Sequence, residues 1–179
     1  MKKFRLLLLD ANVVIELFRQ GIWDRLIEAC DVHLAQTVIS TEAHFYEDSE
    51  GVRTDFDLGQ YCKARKISVF DVARSELTTF RAQFDPTYFE KLDPGETESL
   101  AYLVNSKDTC LICSADKIVY RVLGNLNRGE QGISLEEILQ KAGLGRKLSW
   151  PFSKAFRETW TKKGFQERIS GTGHQRNRG

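Results

Sequence analysis

The stretch FRLLLLD, residues 4–10, sets four leucines in a row and stops on a carboxylate. A continuous apolar run of this kind marks a strand covered on both faces, as in a parallel sheet packed between helices, because a strand with one wet face alternates. The run also poses a problem. A carboxylate at the end of a buried strand is costly to bury without a partner. Asp10 therefore either turns back to cap the helix that follows or meets a cation.

Periodicity continues the alternation of strand and helix along the chain. Helical spacing covers 13–19 and 23–29, divided by Gly21, and VHLAQ (32–36) reads as a second strand. Ser40 and Thr41 are suited to cap a helix beginning near Glu42. Residues 47–57 are polar and acidic, broken by Gly51, and predict a loop or a poorly packed helical connection. QYCKARK predicts helix, ISVFDV a third strand, 73–84 a further helix and DPTYF a turn.

LDPGETESLAYLVN carries the clearest helix start in the chain, with Asp93 as N-cap, Pro94 as first helical residue and Glu96 three after the cap. TCLICSAD reads as a fourth strand ending at Asp116, KIVYRVLGNL as the helix after it, and SLEEILQKAGLG as a last short helix closed by Gly143 or Gly145. Strands separated by helices favour a parallel sheet with helices on both faces, so the expected fold class is α/β.

A chain of 179 residues, 41% hydrophobic, has room for one ordinary core. Lys and Arg total 26 against 25 Asp and Glu, so global charge announces neither nucleic acid nor membrane. The distribution is less even. Residues 153–179 carry seven basic side chains against Glu158 and Glu167, a balance of +5 that leaves −4 for the rest. An acidic body with a basic tail suits a domain that holds divalent cations and meets a polyanion; a solvated tail explains the same charges. The opening apolar run is too short, and too soon interrupted by Asp10 and Asn12, for a signal peptide. No later stretch reaches the roughly 18 apolar residues of a membrane span. A soluble cytoplasmic protein with no membrane role is expected. Cys110 and Cys113 stand three apart on a predicted strand, hence on opposite faces, and cannot close on one zinc ion. Packing is the expected role of all four cysteines.

In open parallel sheets, ligands gather beyond the carboxyl ends of the strands. Asp10 and Asp116 end predicted strands there, and Glu42 and Glu96 begin predicted helices on the same side, so four acids distant in sequence can meet. Clustered carboxylates repel one another unless a cation joins them. Oxygen-only donors suit Mg²⁺ or Mn²⁺, whose chemistry on a phosphodiester is hydrolysis. Each acid also has a plain local duty. Asp10 and Asp116 can cap the helices after them, Glu96 can complete a capping box with Asp93, and Glu42 can favour a helix dipole from the first turn. Glu98 is the near rival of Glu96. Leu100 and Leu103 share the face of Glu96, whereas Glu98 lies about 200° round the helix and is expected to face outward. Ser114 and Asn12 are candidates to orient the carboxylates or waters at the site. Lys117 and Arg121, one and five residues past Asp116, are candidate phosphate contacts.

Taken in order, LLLLDANVVIELF, VISTEAHF, LDPGETESLAYLV and CLICSADKIVYRVL resemble the PIN-domain family of nucleases over most of residues 4–124, and GISLEEIL resembles that family's usual ending. The resemblance implies a parallel β-sheet sandwiched by α-helices over residues 1–150, dependence on Mg²⁺ or Mn²⁺, and cleavage of RNA, whether endo- or exonucleolytic. It places the metal-ligating, catalytic acids at Asp10, Glu42, Glu96 and Asp116. Many small relatives are dimeric toxins silenced by an antitoxin protein, so a homodimer and an antitoxin partner are further expectations. The long middle and the basic extension after Trp150 depart from that pattern. Residues 151–179 are expected to form a basic amphipathic helix, with Phe152, Phe156 and Trp160 recurring every four residues, and a disordered tail from Ser170 onward.

A haloacid-dehalogenase-like phosphatase needs a second Asp where Asn12 stands, and no G-x-x-x-x-G-K-[ST] is present for a P-loop. The alternative of another class is a PIN-like module that binds RNA or protein without catalysis.

Overall fold

A computed structural model describes residues 4–107 and 109–173. The first strand, β1 (Phe4–Leu9), leads through Asp10 into α1 (Ala11–Arg19) and α2 (Trp23–Ala29), then β2 (Cys30–Ala35). A π-helical turn, Val38–Glu42, follows, and then a two-stranded antiparallel hairpin of β3 (Phe45–Glu47) and β4 (Arg53–Asp55). Next come α3 (Leu58–Lys63), β5 (Ser68–Phe70), α4 (Arg74–Arg81), α5 (Pro86–Phe89) and α6 (Pro94–Asn105). The chain closes with β6 (Leu111–Cys113), α7 (Lys117–Asn125), α8 (Leu135–Lys141) and α9 (Lys154–Ile169).

Four strands form one parallel sheet in the order β5-β2-β1-β6. The chain steps outward from β1 to β2 to β5, then returns across the sheet to lay β6 on the other side of β1. Parallel crossovers are almost always right-handed. That reversal therefore assigns the helices before β5 to one face and those between β5 and β6 to the other, and it opens a crevice between the carboxyl ends of β1 and β6, the usual place for a ligand. The β1–β6 register slips by one residue between Leu7 and Leu9. A bulge of this kind re-aims the residue after it, here Asp10.

The core is drawn from both faces, with Val13, Val14 and Leu17 of α1, Leu100 and Leu103 of α6, and Val122 and Leu123 of α7 fully buried. Cys30, Cys110 and Cys113 are buried and outside any disulfide, in keeping with a packing role. Among the described residues no helix is long and apolar enough to cross a membrane.

The expected helix at Glu42 does not form. The hydroxyls of Ser40 and Thr41 bond backward, to Gln36 O at 2.9 Å and Thr37 O at 2.8 Å, and so close a π turn that ends at Glu42. The 47–57 region is a hairpin rather than a loop. Asp48 Oδ1 accepts the N–H groups of Glu50 and Val52, both at 2.9 Å, to make its turn, and the Arg53 guanidinium lies 3.9 Å over the Phe45 ring.

The basic C-terminal segment does form a helix, and it packs on the body. Near the crossing of α7 and α9 a Cβ on Gly124 would lie 2.1 Å from Thr161 O, and one on Gly164 1.9 Å from Arg121 O, so only glycine allows this approach. Arg121 pairs with Glu167 at 2.6 Å, and Arg157 binds Glu137 through two nitrogens at 2.8 and 2.9 Å. Residues 170–173, expected to begin the disordered tail, are held as well. Gly173 is buried, its carbonyl accepts Asp85 N–H at 2.9 Å, and Thr172 O accepts from Asn125 Nδ2 at 3.0 Å. The rest of that expectation, residues 174–179, lies outside the described residues.

Candidate acidic site at the β1–β6 crevice

Three of the four acids singled out from the sequence do their local job. Asp10 caps α1, accepting Val13 N–H at 2.8 Å, and Asp116 caps α7, accepting Ile118 N–H at 3.0 Å. Asp93 and Glu96 complete the reciprocal capping box of α6 at 2.8 and 3.3 Å. Capping and convergence are not alternatives here. The caps aim the carboxylates into the crevice.

Ser114 joins them. Its hydroxyl donates to Asp10 Oδ2, lies 3.5 Å from Glu96 Oε1, and accepts Asp116 N–H at 2.9 Å. Ala115 N–H adds a bond to Asp10 Oδ2 at 3.0 Å. Asp10, Glu96 and Ser114 are all buried, at 5%, 2% and 1% exposure. Three segments distant in sequence, at Asp10, Glu96 and 114–116, thus meet at one point. Glu96 shares its face with the buried Leu100 and Leu103, as its spacing predicted.

Glu42 approaches from the π turn. Gly95 N–H donates to its Oε1 at 3.2 Å, and a Cβ on Gly95 would stand 2.6 Å from its Oε2. Glycine at this helical position is what admits the Glu42 carboxylate. Asn12 is exposed on the first turn of α1.

The electrostatics are one-signed. Burial pushes Glu96 up to about 9, with Asp10, Asp93 and Asp116 adding to the rise. Burial also raises Asp10 to about 6, against the lowering effect of the Ser114 hydrogen bond and the Val13 and Ala115 amides. Glu42 is raised by desolvation, then by Asp93, and Asp93 itself by desolvation and Asp116. None of these five carboxylates has an ion pair with a described cation.

Two sequence expectations are revised, for Glu98 and Arg121, and one residue, Asp93, gains a role beyond its expected cap. Asp93 belongs to the field of the cluster; its capping signature hid that role. Glu98 does not face outward. The turn after β2 covers that flank of α6, and Glu98, only 5% exposed, accepts Thr37 N–H at 3.3 Å. Arg121 is not free for phosphate, since its guanidinium is spent on Glu167 and lies 5.2 Å over the Tyr88 ring. Lys117 remains exposed at the start of α7, with Nζ 5.5 Å over the Trp160 ring.

The donors fit a hard divalent cation by their chemistry, being oxygen-only and uncompensated in charge. They are not drawn together as a finished chelate: among the described residues no three His, Cys, Asp or Glu side chains are grouped closely enough to hold an ion as they stand. Compared with known proteins, the chain matches no family model, no curated sequence and no solved structure.

Proposed function

We propose that this chain is a Mg²⁺- or Mn²⁺-dependent nuclease of PIN-like architecture that hydrolyses RNA phosphodiester bonds. The observation that carries the reading is the meeting of two buried carboxylates with no ion pair to a described cation, Asp10 and Glu96, at the Ser114 hydroxyl between the carboxyl ends of β1 and β6. Burying like charges this way is unfavourable without protons or a cation to join them.

Asp10, Glu96, Asp116 and Glu42 are the residues that would hold the ion, the last two by swinging a carboxylate from its backbone bond. A bound divalent ion supplies a water of lowered pKa and neutralises charge building on the phosphate. The chain's own part is orientation. Val13 and Ala115 amides fix both oxygens of Asp10, the capping box fixes Glu96, and Lys117 stands exposed beside the crevice to meet a phosphate.

A second reading, a PIN-like module that binds RNA or protein without cleaving, is favoured by one observation: no three acids among the described residues are grouped for an ion. Incubating the protein with labelled single-stranded RNA and Mn²⁺ separates the two. Cleavage abolished by EDTA and by Asp10→Asn is the expected result. RNA retained intact under Mn²⁺ supports the binding module, and cleavage that survives EDTA or Asp10→Asn contradicts the metal reading.

A further inference from the structure

Behind Ser114 lies a side chain that is not one of the acids but holds the residue that joins them. Tyr120, on α7, is fully buried. Its hydroxyl stands 2.9 Å from Ser114 O and 3.0 Å from Ile133 O, and it accepts Ser114 N–H at 3.2 Å. One phenol thus engages both backbone polar groups of a single residue, Ser114, whose own hydroxyl bridges Asp10 and Glu96. The same oxygen ties that residue to the segment beside β6, where Ile133 N–H bonds Ile112 O at 2.9 Å. From the other side the ring of Phe156 on α9 meets the Tyr120 ring edge-on, with centroids 6.1 Å apart.

A buried backbone amide that loses its partner carries the desolvation cost of an unmade bond. The Ser114 hydroxyl and the Ala115 amide tie the loop 114–116 to Asp10, whereas the Tyr120 hydroxyl holds the Ser114 backbone from which both are aimed, so the geometry of those bonds depends on it. We propose that Tyr120 is the positioning residue of the acidic site: it clamps the backbone of Ser114 so that the serine hydroxyl stays aimed at Asp10 and Glu96, the Ala115 amide at Asp10, and the Asp116 amide at the serine hydroxyl. Its consequence for ion binding rests on the metal-dependent reading above; the clamp itself does not. Groups that orient first ligands typically change metal affinity by about 10- to 100-fold when removed.

The test is Tyr120→Phe, which keeps the ring and removes only the hydroxyl, with Tyr102→Phe as a control for losing a phenol elsewhere. Two quantities are read well below the unfolding temperature: amide hydrogen exchange at Ala115 and Asp116, and the dissociation constant for Mn²⁺ alone. The expected result is exchange faster by about 10-fold or more at those two amides, with Leu34 in the sheet unchanged, and Mn²⁺ bound about 10-fold more weakly. Unchanged exchange at Ala115 and Asp116 overturns the clamp. A lower unfolding temperature with unaltered Mn²⁺ affinity overturns its role at the site. If the wild-type protein binds no Mn²⁺, the metal reading fails, and the exchange data alone decide the clamp.

Discussion

Glu96 carries two duties that pull against each other. As the third residue of α6 it closes a capping box, and as a buried acid facing Asp10 it holds its proton to about pH 9. The sign of the resulting pH effect is fixed by linkage. Between the unfolded value near 4.5 and the folded value near 9, the unfolded chain has released a proton that the folded one keeps, so stability falls as pH rises. Asp10 contributes in the same direction between 3.8 and about 6. In the absence of divalent ions, urea unfolding is therefore predicted to show a protein less stable at pH 8 than at pH 5. Glu96→Gln, which keeps an acceptor for Asp93 N–H, should gain on the order of a few kcal/mol over wild type at pH 8 and nearly nothing at pH 5. A gain of equal size at both pH values would show that the charge is not the cause. At Gly95 the expectation is opposite. Gly95→Ala drives a methyl against the Glu42 carboxylate, so Glu42 should be displaced and Mn²⁺ affinity reduced by several-fold while helix content holds, as calorimetry and circular dichroism would show.

At the scale of elements, the junction of α7 and α9 is where backbone meets backbone. Gly164→Ala places a Cβ within 1.9 Å of Arg121 O and must force the helices apart, at a predicted cost of about 1–3 kcal/mol in urea unfolding. Arg121 stands at the same crossing, and its loss leaves Glu167 buried without its cation. Elements with strong local grammar were legible in the sequence. α6 announced itself by Asp93, Pro94 and Glu96, and β1 by its leucines. The π turn at Val38–Glu42 was not, because Ser40 and Thr41 serve a helix start and a backward bond equally well, and only the tertiary context chooses. The hairpin of β3 and β4 was hidden by acids with low strand propensity, and its pairing rests on Asp48 folding the turn and Arg53 stacking on Phe45. The burial of Glu98 is illegible for a related reason: helical periodicity gives the angle of a side chain but not what a neighbouring segment lays over it.

Over the whole molecule, the order of strands explains why acids far apart in sequence converge. Because β6 returns to the free edge of β1, Asp10 and the 114–116 loop become neighbours, and α6 delivers Glu96 to the same crevice. The sequence carried the four acids and their side of the sheet; it did not carry their spacing, which depends on Ser114 and on the Tyr120 beneath it. The C-terminal helix is part of this body. Removing residues 153–179 strips Phe156 from Tyr120, Glu167 from Arg121 and Arg157 from Glu137, and is predicted to lower the thermal midpoint by more than about 10 °C. Retained stability with weaker, less salt-sensitive RNA binding would instead assign the helix to docking.

Whether the acids at the β1–β6 crevice form a seat for a divalent cation is decided by thermal unfolding at pH 8 across a Mn²⁺ titration. A ligand that binds only the folded state raises its stability with concentration. The midpoint of the wild-type protein is predicted to rise progressively with Mn²⁺, and that of the Asp10→Asn, Glu96→Gln double variant to stay flat. A flat wild-type response, or an equal rise in both proteins, would contradict such a seat.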